Sequence, residues 1–541
     1  MREMEPETEL GTHRVENQPP PRGDLSLMET DPALREALSD LGAPRRAALA
    51  DYAATIGTTG MREAARDANR HAPEAHLFDR AGRRLDEVRF HPAYHAFMRT
   101  SCAAGYASVA WEGGAGGHRA HAAMVYLASQ VEPGHCCPLT MTYAAVPALA
   151  AGGAPFAHWR DKALSRDYDP DPRPIDDKPG VTLGMALTEK QGGSDVRANT
   201  TRAERDGAGW RLTGHKWFCS APMSDAFLTL AQAPGGLTCF LVPRWLEEGR
   251  NHIRIARLKD KLGNRSNASA EIEYARALAW QLGEEGDGVR TIVRMIHHTR
   301  LDTALAPAGL MRAALCEAHH WVAHRSAFQA RLIDQPLMRC LLADLALDLE
   351  GSLALGLHVA RAFDGMDDAA RAFGRIGVAL AKFLSNKLCP VVVGEAMEVL
   401  GGAGYVEDGP LPMLYREAPL NGIWEGSGNV ICLDVLRSLA RDPLAGGVLA
   451  SELDAAAGAD PAYDVALSDY RAAWPALPEP AQARAFTEHT ALMLSASVLC
   501  RGASDAVAGA FVRSRLTDRR GRVPGALPAV DPAPLLARLG G

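Results

Sequence analysis

The residue best placed to do acid–base chemistry is Glu425, in the stretch NGIWEGSGNVICL from Asn421 to Leu433. It stands beside Trp424, is followed by Gly426, Ser427 and Gly428, and precedes an apolar run, ICLDVLRSLA. An indole, small residues and an apolar segment desolvate a carboxylate, which raises its pKa and makes it a usable base. Glycine-rich backbone at a helix start brings free N–H groups close to a ligand, and Asn429 is a candidate cap for the helix that follows. The plain alternative is a capped helix after a surface turn, with Glu425 solvated.

Four other segments carry binding chemistry. MALTEKQGGSD (Met185–Asp195) offers hydroxyls and pliable backbone at Thr188, Gly192, Gly193 and Ser194, a surface for a flat polar ligand. GHKWFCSAP (Gly214–Pro222) puts Trp217 and Phe218 beside Cys219 and Ser220, which suits an aromatic heterocycle and equally a tryptophan in an inter-domain core. RSAFQARLIDQP places Arg325 and Gln335 on what reads as helical sequence, and MEVLGGAGYVED ends a helix at Gly401–Gly402 in a turn that can also cradle phosphate. The pairs His297–His298 and His319–His320 are adjacent residues that do not face one site, so no metal centre is expected.

The elements that must position these residues follow from composition and period. The chain has 541 residues, 47% hydrophobic and 23% charged, enough for several cores. From Pro32 to about Ala154 apolar residues recur at helical spacing, until DYDPDPRPIDDKPG (Asp167–Gly180) breaks the pattern. Residues 1–32, with ENQPPPRGD, read as an extended arm and 33–180 as a helical domain. Short strand-like runs over 181–285 read as a β-barrel or sandwich, 286–440 as a helical bundle, and 441–541 as a further helical domain. Ten scattered Cys make neither a disulfide framework nor a metal spacing, and the charged start MREMEPETEL lacks the apolar core of a signal peptide. No membrane span is expected, and the cytoplasm is the expected location. Net charge is −7, which opposes indiscriminate nucleic-acid binding. Yet Arg501, Arg513, Arg515, Arg519, Arg520 and Arg522 face only Asp505 and Asp518, a local +4 that reads either as a phosphate-facing patch or as a solvated helix end.

Taken in order, the five segments resemble the motifs of the acyl-CoA dehydrogenase family over roughly 36–440, and LTEKQGGSD, GHKWFCS, KLGNRSNAS, IWEGSGN and the C-terminal extension are similar to its AidB-like branch, flavoproteins of the adaptive response to DNA alkylation. The resemblance implies an α+β multidomain fold: N-terminal helices, a middle β domain, a four-helix bundle and an extra helical C-terminal domain. It implies FAD, with Met185, Ala186, Leu187, Thr188, Gly193, Ser194, Trp217, Phe218, Cys219 and Ser220 lining the isoalloxazine. Ile423, Trp424 and Asn429 would lie against it as well. Arg325 and Gln335, with Gly401 and Gly402 from a neighbouring subunit of a homotetramer, would hold the pyrophosphate and adenosine. Glu425 would be the α-proton base toward an acyl-CoA thioester, with Thr188, Ser194 and Ser220 near the substrate. The Arg-rich segment would bind double-stranded DNA. Lys190 and Ser427 stand where the family usually has Pro and Thr, and Cys219 where many members have Thr. An ordinary catabolic acyl-CoA dehydrogenase and a flavin-bearing scaffold with vestigial redox activity are the other expected readings.

Overall fold

The computed structural model describes residues 6–517, 521, 523–526 and 530–540. The proline-rich start stays extended, and the first helix begins only at Pro32, where the Asp31 side chain accepts from Leu34 N. Helices follow, among them α1 (Gly117–Ser129) and α2 (Cys136–Ala151), both almost wholly buried. A hairpin of Glu74–Phe78 and Arg84–Arg89 interrupts what reads as continuous helical sequence. It docks on the middle domain, where Asp86 Oδ1 accepts from Ile255 N at 2.8 Å.

The middle domain is a closed barrel. Its strands are β1 (Leu183–Ala186), β2 (Arg202–Asp206), β3 (Gly209–Ser220), β4 (Ala226–Ala233), β5 (Gly236–Pro243), β6 (Ile253–Leu258) and β7 (Ser269–Leu282). The order runs β6-β7-β3-β2-β4-β1, and β5 closes it by pairing with both β4 and β7. Closure pairs β2, β3, β4, β5 and β7 on both sides, and β6 and β1 flank that ring.

Four helices make the bundle: α3 (Gly288–His324), α4 (Pro336–Phe363), α5 (Asp368–Val399) and α6 (Gly428–Arg441). α5 is long and apolar enough to cross a bilayer, but most of that stretch is buried by its neighbours as a core helix. The C-terminal helices, including α7 (Ala483–Gly502) and α8 (Asp505–Arg515), do not form a detached unit. Leu494 and Phe511 lie in the same hydrophobic core as α3, α4 and α5. Phe511 packs so close to Gly351 of α4 that a Cβ there would meet its ring at 2.5 Å.

Candidate active site

Glu425 lies in the loop between a short turn at Leu420–Gly422 and α6. Its φ is +58°, the left-handed region that a side chain disfavours, so the surroundings must hold it there. Three groups do so. Arg300 Nε donates to the Glu425 carbonyl at 3.1 Å while its Nη1 pairs with Asp434 at 2.7 Å. Lys382 Nζ, fully buried on α5, donates to the carbonyls of Asn421 and Gly426 at 2.8 and 3.0 Å. Trp424 Nε1 donates to Asn421 Oδ1 at 2.7 Å. The carboxylate itself accepts from Thr299 Oγ1 on Oε2 at 2.7 Å.

Burial raises the Glu425 carboxyl above the usual carboxylate range, and the nearby Asp302 adds to this. The Thr299 hydroxyl, Lys382 and Arg300 pull the other way. Burial also brings the Lys382 ammonium down to about 7. In a Lys382→Met variant one attractive charge is gone, so the Glu425 pKa rises further. Base catalysis needs the ionised carboxylate, so the acid limb of a pH–rate profile moves to higher pH in that variant; an unmoved limb refutes the coupling.

The barrel presents a second wall. Between the pairs Cys219↔Ala270 and Lys216↔Ile272, Glu271 alone opposes both Trp217 and Phe218. That extra residue is a β-bulge, and it turns two consecutive aromatics out of the barrel where simple alternation would bury one. Phe218 is 48% exposed, and Lys259 Nζ stands 3.4 Å from the Trp217 ring centroid. Trp217 N donates to Thr188 O at 2.7 Å, which fixes the Met185–Ser194 loop against this strand. Beneath the loop Glu189 is buried and accepts from Lys216 Nζ at 2.8 Å and Thr201 Oγ1 at 2.6 Å. A Cβ at Gly193 would meet Thr188 Oγ1 at 2.6 Å, so only glycine folds the loop this tightly.

The Cys219 side chain points into the barrel core and leaves its backbone to face a ligand. Ser194 and Ile423, like Phe218, are exposed. Ser427, and not Asn429, occupies the cap position of α6; Asn429 is the second residue of the helix, and its Oδ1 accepts from Arg484 of α7 at 2.9 Å. Arg325 to Gln335 is not an α-helix, holding only a short 3-10 turn at Leu332–Asp334. α3 ends at His324, a hairpin of Ser326–Ala327 and Ala330–Arg331 follows, and Gln335 Nε2 turns back toward Ala327 O at 3.4 Å. Arg325, Gly401 and Gly402 do come together, lining one groove of about 480 Å³. Cys137, which no motif marks, joins the two walls: its thiol sits beside Ser220 and Asn267, near both Glu425 and Lys261, and burial pushes it up to about 11.

Two of the six arginines of the Arg-rich segment are paired within the chain. Arg515 is buried, with Nη1 2.6 Å from Asp344 Oδ1 and Nη2 2.8 Å from Asp348 Oδ1, both on α4. A guanidinium clamped in a core cannot face DNA phosphates. Arg501 pairs with Glu452 at 2.8 Å, Arg513 is exposed, and Arg519, Arg520 and Arg522 lie outside the described residues.

The residues present fit a flavin dinucleotide: the barrel offers an exposed aromatic pair and a tight polar loop, Cys137 links that strand at Ser220 to the desolvated Glu425, and a separate groove joins a guanidinium to two glycines. Nothing lies within 4 Å of a Cβ built on Gly401 or Gly402, so backbone can approach phosphate there. Thr299 and Arg300 lie in the N-terminal half of α3, and Arg325 caps its C-terminal end. Arg300 and Arg325 are separated by roughly 37 Å along a helix of this pitch, more than one extended dinucleotide spans.

Three family models match in sequence: the adaptive response protein AidB N-terminal domain over residues 17–170, the acyl-CoA dehydrogenase middle domain over 184–277, and the acyl-CoA dehydrogenase C-terminal domain over 286–440. The chain is 46% identical to AidB of Escherichia coli (strain K12), covering 94% of this chain and 95% of that one. It is 32% identical to acyl-CoA dehydrogenase family member 11 of Caenorhabditis elegans, over 70% of this chain and 64% of that protein. The solved structure of Caenorhabditis elegans ACDH-11 in complex with C11-CoA superposes with a TM-score of 0.82 at 26% identity, covering 99% of this chain and 93% of that chain. Butyryl-CoA dehydrogenase from Megasphaera elsdenii shares the fold at a TM-score of 0.61, covering 74% of this chain and 99% of that chain. A near-full-length likeness of this strength, together with the matching middle and C-terminal family models, places the chain in the acyl-CoA dehydrogenase family, in its AidB-like branch, as an FAD-dependent acyl-CoA dehydrogenase-like oxidoreductase.

Proposed function

We propose that the chain catalyses α,β-dehydrogenation of a short or branched acyl-CoA thioester, with Glu425 as the base. The carrying observation is the clamped, desolvated Glu425, with Cys137 lying near it and beside Ser220 of the aromatic strand. The thioester carbonyl acidifies the α carbon. With Oε2 engaged by Thr299, Oε1 takes the α-proton while the α,β double bond forms. FAD, when bound, supplies the acceptor for the β-hydrogen as hydride. The Arg300 and Lys382 clamps keep the carboxylate oriented, and burial of its surroundings excludes water from the proton transfer. Anaerobic addition of an acyl-CoA panel tests the reading: one thioester bleaches the flavin of the wild-type holoenzyme and none does so in Glu425→Gln. A panel that never bleaches the wild type overturns it and leaves the scaffold reading.

The distance along α3 supports a second element of the reading. The ring of one cofactor lies at Glu425 of one subunit, and its pyrophosphate and adenosine lie in the groove of Arg325, Gly401 and Gly402 from another. The assembly is a homotetramer, as the family resemblance implies. Exposed Phe328, Leu337 and Tyr405 near that groove's elements are the apolar surface such contacts require.

Association with double-stranded DNA and a role in the alkylation response complete the reading, supported by the AidB N-terminal model and by exposed Arg513 next to Arg519, Arg520 and Arg522 in sequence. Each phosphate that a cationic side chain neutralises adds about 0.9 to the steepness with which log affinity falls against log salt. Arg513→Ala therefore flattens the salt dependence of duplex binding, and binding that ignores salt removes this part of the reading.

A further inference from the structure

We infer that the N-terminal arm is a working part of the cofactor groove, with Asn17 and Gln18 completing the grip of Arg325 on the ADP portion of FAD. The inference rests on the reading of that groove given above. Arg325 Nη1 donates to Asn17 O at 3.0 Å and to Gln18 Oε1 at 3.2 Å, and Gln18 itself lines the groove with Gly401 and Gly402. The arm does not merely brush past. The Asn17 side chain takes both backbone groups of Ser326, donating from Nδ2 to the carbonyl at 2.9 Å and accepting from N on Oδ1 at 2.8 Å. Asn17 adopts φ +55°, a conformation that asparagine tolerates better than most side chains. Beyond it the prolines keep the chain extended, His320 Nε2 donates to Pro20 O at 2.9 Å, and Arg22 pairs with Glu317 at 2.7 Å. Thr59 N donates to Asp24 Oδ1 at 2.7 Å at the far end.

The effect falls on the guanidinium. Trp321 supports its face, with Cζ 4.8 Å from the ring centroid, and the arm takes one edge through Nη1. Nε and Nη2 meet no acceptor among the described residues, so the guanidinium is held by its face and one edge while donors remain for a diphosphate. A guanidinium fixed in this way loses less freedom on binding than a free surface arginine. Gln18 adds an amide at the rim, able to donate to phosphate or ribose through Nε2.

The test uses the full chain freed of flavin, with FAD, FMN and ADP as probes. Asn17→Gly keeps the left-handed backbone and removes only the side chain; Gln18→Ala removes the rim amide. In the double variant FAD binding, read by quenching of flavin fluorescence, weakens about tenfold, and ADP competes against FAD correspondingly less well, while FMN, which lacks the ADP portion, binds as to the wild type. Gln18→Glu, which keeps an acceptor for Arg325 but sets a negative charge beside the phosphates, also weakens ADP. If the arm variants keep wild-type FAD and ADP affinity while Arg325→Ala loses it, the arm is only a structural cover: the inference fails and the groove's reading stands. If Arg325→Ala also keeps full affinity, the reading of the groove fails and takes the inference with it.

Discussion

Glu425→Gln yields a folded protein that keeps its flavin and loses acyl-CoA-driven bleaching, with a single-turnover rate at least about 10²–10⁴-fold below wild type, the usual contribution of a positioned general base. The substitution is nearly isosteric. An amide still accepts from Thr299 Oγ1 through its oxygen, and the clamps from Arg300 and Lys382 act on main-chain carbonyls, which are untouched. Only the proton acceptor is lost. The wild-type profile has its acid limb above the ordinary glutamate value of about 4.3, because burial favours the protonated form of Glu425 and the rate rises as the group ionises. Residual bleaching at more than a tenth of the wild-type rate assigns the base elsewhere.

Arg515→Ala lowers the unfolding free energy by about 3 kcal/mol, at the low end of the range for breaking a buried ion pair. The arginine bridges two carboxylates of α4, and its Nη2 also donates to the Asp344 carbonyl at 2.6 Å. Asp344 retains a donor in Gly525 N at 2.8 Å, which softens the loss. Exposed Arg513→Ala, two residues away, changes stability by no more than about 0.5 kcal/mol. Denaturant midpoints of the pair decide it: equal shifts mean that Arg515 does not fasten α8 to the bundle. The same pair separates stability from DNA association, because Arg513 is exposed and Arg515 has no surface to offer phosphate.

The domain order was legible because it depends on local features, namely period and breaker residues, and Glu425 stood out as an isolated carboxylate among apolar and small neighbours. What stayed hidden depends on partners distant in sequence. The Trp217–Phe218 platform needs a bulge set by the register against β7, and a strand read by alternation gives no sign of it. Arg515 lies in a run of arginines that reads as surface, and only Asp344 and Asp348, far back in the chain, reveal it as core. RSAFQARLIDQP has helical composition, yet Phe328 and Gln329 take φ of +51° and +67° to turn a hairpin between two helices. Lys382 and Cys137 lie in ordinary apolar helices and gain meaning only from what faces them.

α3 has a consequence for inheritance. One long helix carries the residues that steady Glu425 in its N-terminal half and leads into Arg325 at its C-terminal end. In the proposed assembly a lesion near His324 therefore spares the reaction centre of its own polypeptide and cripples that of a neighbour. Two defective alleles, one in each half of that helix, restore some intact centres when co-expressed, because the sound halves of the two products meet across the subunit boundary.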